Sequence, residues 1–257
     1  MSKKFFLIDG HAQLFRAFYA IPELTTPAGK PINAVYGFIA MLRRLIKKQD
    51  PYYLAIAFDS KGPTFRHSSF KDYKANRKAM PDDLQSQIPL LEKLIRAYNI
   101  PMFALQGYEA DDVIGTIVKK ISKENIETII VTKDKDIEQL IDEHVKVFDE
   151  KNNVFYDAEM CEKKRGVKPS QMIEVLALAG DSSDNVPGVP GIGGKTAVKL
   201  IKEWNSVEGV LANTDKISGK RVKENLIQFA DQAKLSKFLV TIKTDIPIEF
   251  DLETCRM

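Results

Sequence analysis

Cysteine, histidine and tryptophan are scarce: the 257 residues hold two cysteines (Cys161 and Cys255), three histidines and one tryptophan. Two cysteines supply neither a disulfide framework nor a zinc site, so a reducing, cytoplasmic location is expected. Long apolar runs are missing as well. The longest, 52–58, has seven residues, against roughly 20 needed to cross a bilayer, so no membrane partner is expected. After two early lysines only Phe5, Phe6, Leu7 and Ile8 are apolar, too few for a secretory signal, and no small-residue cleavage site follows. A G-x-S-x-G nucleophile elbow is absent. The run Gly191-Ile192-Gly193-Gly194-Lys195-Thr196 ends like a phosphate-binding P-loop but lacks that pattern's first glycine. Neither charge dominates, with 38 basic and 35 acidic side chains and a net charge of +3.

What is present is an alternation. Short apolar runs at 5–8, 53–58, 102–105 and 128–132 read as buried strands. Between them lie helical stripes: Val35, Phe38, Ile39, Leu42, Leu45 and Ile46; Leu84, Ile88, Leu91 and Ile95; Val113, Ile114, Ile117, Val118 and Ile121. A hairpin is expected over 145–156, turning at Asn152-Asn153. The pattern implies an α/β fold with a mainly parallel sheet covered on both faces. From about residue 158 short helices and Gly/Pro punctuation take over, at 171–178, 196–204, 207–211 and 222–229. The expected organisation is a catalytic core over 1–160 and a helical region over 161–257.

Asp9, Asp59 and Asp134 each lie just past an apolar strand. In an open parallel sheet those ends face one crevice, so three acids distant in sequence converge. Glu109, Asp111 and Asp112 open the next helix, more acid than capping requires. Asp136 follows Asp134 by two, and Asp181 and Asp184 stand three apart after an apolar helix. Two carboxylates about 5 Å apart repel by roughly 3 kcal/mol at an effective dielectric of 20. Several such pairs would rival a domain's stability of about 5–15 kcal/mol. Nine gathered acids therefore need protons or cations. All-oxygen ligands select Mg2+ or Mn2+, and two such ions can drive an in-line displacement at phosphorus. With the nine set aside, 35 acids become 26, and 38 basic side chains leave a balance of +12. That suits a polyanionic substrate.

Two segments fit such a substrate. The Gly/Pro-rich run 186–197 leads into a helix, so that Gly188, Gly191 and Gly193 allow close backbone approach and Lys195, Thr196 and Lys199 flank a helix N-terminus suited to phosphates. The run 61–78 holds Lys61, Arg66, Lys71, Lys74, Arg77 and Lys78 against Asp72 alone, interleaved with Phe65, Phe70 and Tyr73. That pattern suits a single strand, and equally a basic solvated loop.

Taken together these residues resemble the 5′ nuclease family: the 5′-3′ exonuclease domain at the N-terminus of bacterial DNA polymerase I and its free-standing relatives. The likeness rests on Ile8-Asp9-Gly10-His11, Arg16-Ala17-Phe18, Ala34-Val35-Tyr36-Gly37-Phe38, Phe58-Asp59, Phe65-Arg66, Tyr73-Lys74 with Arg77, Gly107 through Asp112, Thr132 through Asp136, Gly180-Asp181 through Asn185, and the run 187–197, all in family order. The resemblance implies a PIN-like core followed by a helix-hairpin-helix-type (helix-3-turn-helix) region. One divalent ion would be held by Asp9, Asp59, Glu109 and Asp111, and a second by Asp134, Asp136 and Asp184, with Asp112 and Asp181 shared or acting through water. Lys74 and Arg77 would contact the scissile phosphate from a basic helical arch at about 61–83. Arg66, Lys71, Tyr73 and the 188–199 turn and helix would contact DNA, with K+ expected at 188–194. The implied substrates are DNA with a 5′ flap, nick or 5′ end and RNA primer strands, cut by a monomer fused to or acting with a polymerase. The end at Met257 fits an excised domain or a short stand-alone nuclease of bacterial type. Lys133 departs from the pattern, standing where polymerase-attached relatives usually carry a small residue; a cation there could perturb the second ion's site or contact substrate. A PIN-type ribonuclease and a non-catalytic DNA-binding homologue are the competing readings.

Overall fold

The computed structural model describes residues 3–124 and 126–257. Its six-stranded sheet runs in the order β3 (Met102–Phe103), β2 (Tyr53–Ala57), β1 (Lys4–Asp9), β4 (Glu127–Val131), β5 (Val145–Asp149), β6 (Val154–Tyr156). All neighbours are parallel except β6, which returns antiparallel to β5 after Asn153 adopts a left-handed φ of 52°. The expected hairpin is therefore present.

The central strand shows why the sheet is covered twice. Phe6 and Ile8 pack into the layer of α1 (Gly10–Ala20), α2 (Asn33–Gln49) and α5 (Ile88–Ala97). Phe5 and Leu7 pack into the opposite layer with α6 (Ala110–Ile121). All four are fully buried, together worth on the order of 6–12 kcal/mol before conformational entropy is set against them. The second layer continues without a break into the C-terminal helices: α7 (Ala158–Arg165), α8 (Met172–Ala179), α9 (Gly194–Trp204), α10 (Val207–Ala212), α11 (Lys220–Gln228) and α12 (Ala230–Val240) share one core with α6. No described helix is long and apolar enough to cross a membrane.

Three features differ from the sequence expectation. The stripe Leu84–Ile95 is not one helix: a short turn, α4 (Asp82–Gln85), precedes α5. Pro89, in the first turn of α5, has no N–H to continue a preceding helix. Gln87 at the break instead accepts from the backbone of Ala34 (2.9 Å) and Val35 (3.2 Å), tying α5 to the start of α2. Second, helices form at α1 and α12, which the sequence pattern does not announce. Third, 61–83 does not stand up as a helical arch. It holds a five-residue helix, α3 (Phe65–Ser69), and turns through 71–77. Those turns are tied down: Lys74 N donates to Asp184 O (2.9 Å), Asn76 to Ser182 O (2.6 Å) and Asn185 to Asp72 O (2.6 Å).

Candidate metal centre

The order β2-β1-β4 puts the ends carrying Asp59, Asp9 and Asp134 side by side. Asp9 caps α1, accepting from Ala12 N (3.0 Å) with one oxygen and from Thr132 Oγ1 (2.9 Å) with the other. Gly10 is required here, because a Cβ would meet the Phe58 ring at 2.4 Å. Asp59 accepts from Ala110 N at 2.8 Å, locking the start of α6 against β2. Asp134 accepts from Asp136 N at 2.9 Å, which ties that pair together at the end of β4.

Six further acids were expected at the site, and five reach it. Glu109, Asp111, Asp136, Asp181 and Asp184 line a small cavity of about 20 Å³, enough for a water or a bare ion. Carboxylate oxygens of Asp136, Asp181 and Asp184 lie within 4.8 Å of one another. Asp136 Oδ1 and Asp181 Oδ2 are buried without any hydrogen-bond donor, a costly state for a charged oxygen. Burial pushes Asp9 and Asp136 up to about 7, reinforced at Asp9 by Asp59 and Asp134 and at Asp136 by Asp134 and Asp181. Burial also drives Asp111 upward, with Asp134 and Asp9 adding repulsion. Asp181 goes the other way: burial opposes its charge, but hydrogen bonds from Ser183 and Lys135 hold it below the usual range.

Asp112 is a correction. Expected among the metal-holding acids, it faces the interior and is fully buried. Its two oxygens accept four hydrogen bonds, from Arg66 Nη1 (2.8 Å), Arg66 Nη2 (2.8 Å), Glu109 N (3.1 Å) and Lys243 N (2.9 Å). A carboxylate has about four acceptor sites, so none is left for a cation.

Arg66 and Tyr73 are corrections of the same kind. Both were expected to touch DNA, yet both are buried. Arg66 uses its five N–H donors on Asp112 (twice), Glu109, Leu239 O and Thr241 O. It joins α3, α6 and α12 rather than a substrate. The Tyr73 hydroxyl lies 3.0 Å from Glu109 Oε2 and 3.2 Å from Asp184 Oδ2. It has one proton to share between them. Burial, Glu109 and Asp184 all raise its pKa, so the phenol stays protonated. We expect Arg66→Ala to cost about 3–5 kcal/mol in urea unfolding, because it strands the buried Asp112 charge. A loss below about 1 kcal/mol would contradict that role.

Lys74 and Arg77 do reach the acids. Lys74 Nζ lies 2.6 Å from Glu109 Oε1 and 3.4 Å from Asp184 Oδ2, and Arg77 pairs with Asp184 Oδ1. Burial works against the Lys74 charge, but Glu109 and Asp184 outweigh it and raise its pKa. Lys71 stays exposed. In the Gly/Pro run, Gly188 is a further correction. It is buried, its N–H donates to Ser236 Oγ (3.0 Å), and a Cβ there would meet Gly180 N at 2.2 Å. Its smallness lets two backbone turns touch and leaves no N–H for a phosphate. Gly191, Gly193, Lys195 and Lys199 are exposed and Thr196 is partly so, around the N-terminus of α9.

Lys135, Thr132 and His11, outside the expected set, also touch the site acids or their backbone. Lys135 binds Asp181 at 3.0 Å, and its position between two site acids was the signal available. Thr132 fixes Asp9. His11 Nδ1 accepts from Asp59 N at 2.9 Å.

Two family descriptions account for nearly the whole chain: "5'-3' exonuclease, N-terminal resolvase-like domain" over residues 4–166 and "5'-3' exonuclease, C-terminal SAM fold" over 167–257. The chain belongs to the 5′-3′ exonuclease family. A free-standing 5′-3′ exonuclease of Aquifex aeolicus is 39% identical over 99% of this chain and 87% of its own length. DNA polymerase I of Bacillus caldotenax is 44% identical over 98% of this chain, which spans 29% of that polymerase. The complex of bacteriophage T5 D15 flap endonuclease with DNA and metal ions superposes with a TM-score of 0.79 at 22% identity, covering 94% of this chain and 90% of the phage protein. The chain thus shares the fold of that flap endonuclease, including the helical C-terminal region.

Proposed function

We propose that this member of the 5′-3′ exonuclease family is a structure-specific 5′ nuclease. It hydrolyses phosphodiesters at 5′ ends and 5′ flaps of DNA, and at RNA primers, using two Mg2+ or Mn2+ ions, in primer removal and repair beside a polymerase. The observation that carries this is the convergence of carboxylates: Asp136, Asp181 and Asp184 lie together, two of their oxygens are buried and orphaned, and Glu109 and Asp111 share their cavity. Such an all-oxygen donor set fits hard divalent cations. Asp9, Asp59 and Asp134 extend it across the strand ends. Bound there, two cations would lower the pKa of an attacking water and offset charge on the departing oxygen.

The protein's own part is positioning. Lys74 and Arg77 neutralise Glu109 and Asp184 in this structure, and turned toward a substrate they would meet the phosphate being cut. Tyr73, kept protonated, donates to Glu109 or Asp184 and orients it. The exposed α9 N-terminus with Lys195, Thr196 and Lys199 would hold duplex phosphates. Metal-dependent cutting of a 5′-flapped duplex near the junction tests the reading. A flap left intact with Mg2+ or Mn2+ present would sink it, and cutting of single-stranded RNA alone would favour a PIN-type ribonuclease.

The raised acids give a second expectation. An acid whose pKa is about 7 when folded and near 3.8 when unfolded leaves stability intact below about pH 4. Stability is lost as pH rises toward 7 and stays lost above it. For Asp9 and Asp136, the melting temperature in chelator is expected to fall between about pH 4 and 7 and to level off above that, and Mg2+ to remove most of that fall. Calorimetry showing the same pH slope with and without Mg2+ would contradict it.

A further inference from the structure

A cleft of about 650 Å³ opens from Asp134, on the side of the site that faces α1. Its charges divide sharply. Arg16 is committed to Asp149 (4.0 Å) and Glu150 (3.6 Å), and Lys135 to Asp181 (3.0 Å). Lys133 and Lys151 are exposed and pair with no carboxylate among the described residues. Tyr19, 71% exposed, lines the same cleft. Its ring lies near Phe15, stacked with centroids 6.5 Å apart, and Phe18, edge-on at 5.2 Å. An exposed aromatic face beside two uncommitted cations is the equipment that grips a nucleic acid strand: a base on the ring, phosphates on the ammonium groups. Beside Asp184 the acids are covered by the segment carrying Lys74 and Arg77, hydrogen-bonded to the 182–185 turn. A strand whose scissile phosphate rests at the carboxylates therefore has this cleft as its open way out.

We propose that the cleft binds the DNA strand adjoining the scissile phosphate, with Lys133 and Lys151 on backbone phosphates and Tyr19 stacked on a base. This rests on the 5′ nuclease reading above. It gives Lys133, the residue that departs from the family pattern, a role in holding substrate rather than in disturbing the acids beside it.

The test is binding of a fluorescent 5′-flap DNA in chelator across a salt series, so that no cleavage is needed. Lys133→Glu with Lys151→Glu is expected to weaken binding about tenfold or more and to flatten the log–log salt slope by about 1.4–1.8, two phosphates' worth. Lys133→Gln with Lys151→Gln should flatten it by a similar amount, which separates lost contacts from new repulsion. Tyr19→Ala is expected to weaken binding roughly five- to a hundredfold at an unchanged slope. Neutral methylphosphonates at the phosphates next to the scissile one should weaken the parent protein and leave the double variants unaffected. Affinity and slope equal to the parent's in both double variants would overturn the proposal. Metal-dependent flap cleavage by the parent protein is scored separately. If it persists while the variants bind normally, only the cleft assignment falls. If binding depends on the cleft but no cleavage occurs, the nuclease reading falls instead.

Discussion

Asp134→Ala is expected to lower kcat for metal-dependent flap cleavage by about 10³-fold or more, while affinity for flap DNA in chelator changes less than about threefold. Asp134 sits at the end of the strand beside β1, and its charge bears on Asp9, Asp111 and Asp136. Removing it takes one ligand from the gathered oxygens and one repulsive charge from the apo site. The variant should therefore be no less stable than the parent in chelator, and lose the stabilisation that Mg2+ gives the parent. That pairing separates lost chemistry from lost folding. Wild-type turnover by Asp134→Ala would refute its place in the centre.

Lys74→Ala is expected to slow kcat about 10²- to 10³-fold, the usual cost of one missing charge donor at a reacting centre, with duplex affinity within about threefold. Lys74 is nearly enclosed and its ammonium lies between Glu109 and Asp184. Without it both acids lose a cation that divalent ions can replace and alanine cannot. The variant should accordingly melt earlier than the parent in chelator and recover with Mg2+. Single-turnover rates and anisotropy measure the two effects apart. An affinity loss as large as the rate loss would make Lys74 a binding residue only.

The convergence of the acids was legible because strand ends in a parallel sheet share one edge, and the runs before Asp9, Asp59 and Asp134 were unmistakably apolar. The side each acid faces was not. Asp111 and Asp112 are consecutive in the first turn of α6, about 100° apart around the axis. One looks into the cavity and the other into the core, and both satisfy the same sequence pattern. Arg66 and Tyr73 misled for a related reason. Basic and aromatic residues in a polar stretch read as a strand-binding loop, while the groups that draw them inward, Asp112, Leu239, Thr241 and Asp184, lie far away in the sequence. Helix α12, which supplies Leu239 and ends just before Thr241, buries the small residues Ala233 and Ser236 with Leu239, too faint a stripe to announce a helix. Gly188 followed the glycine pattern of a phosphate loop, but its contact is with Gly180, a second turn that sequence spacing does not reveal.

The most direct test of the central claim is single-turnover cleavage of a 5′-flapped duplex as Mg2+ or Mn2+ is titrated into the metal-free protein. The expected result is no cleavage in chelator, a rate rising with more than the first power of ion concentration before it saturates, and that rise abolished by Asp134→Ala. Flap cleavage that continues at the same rate in chelator would contradict it.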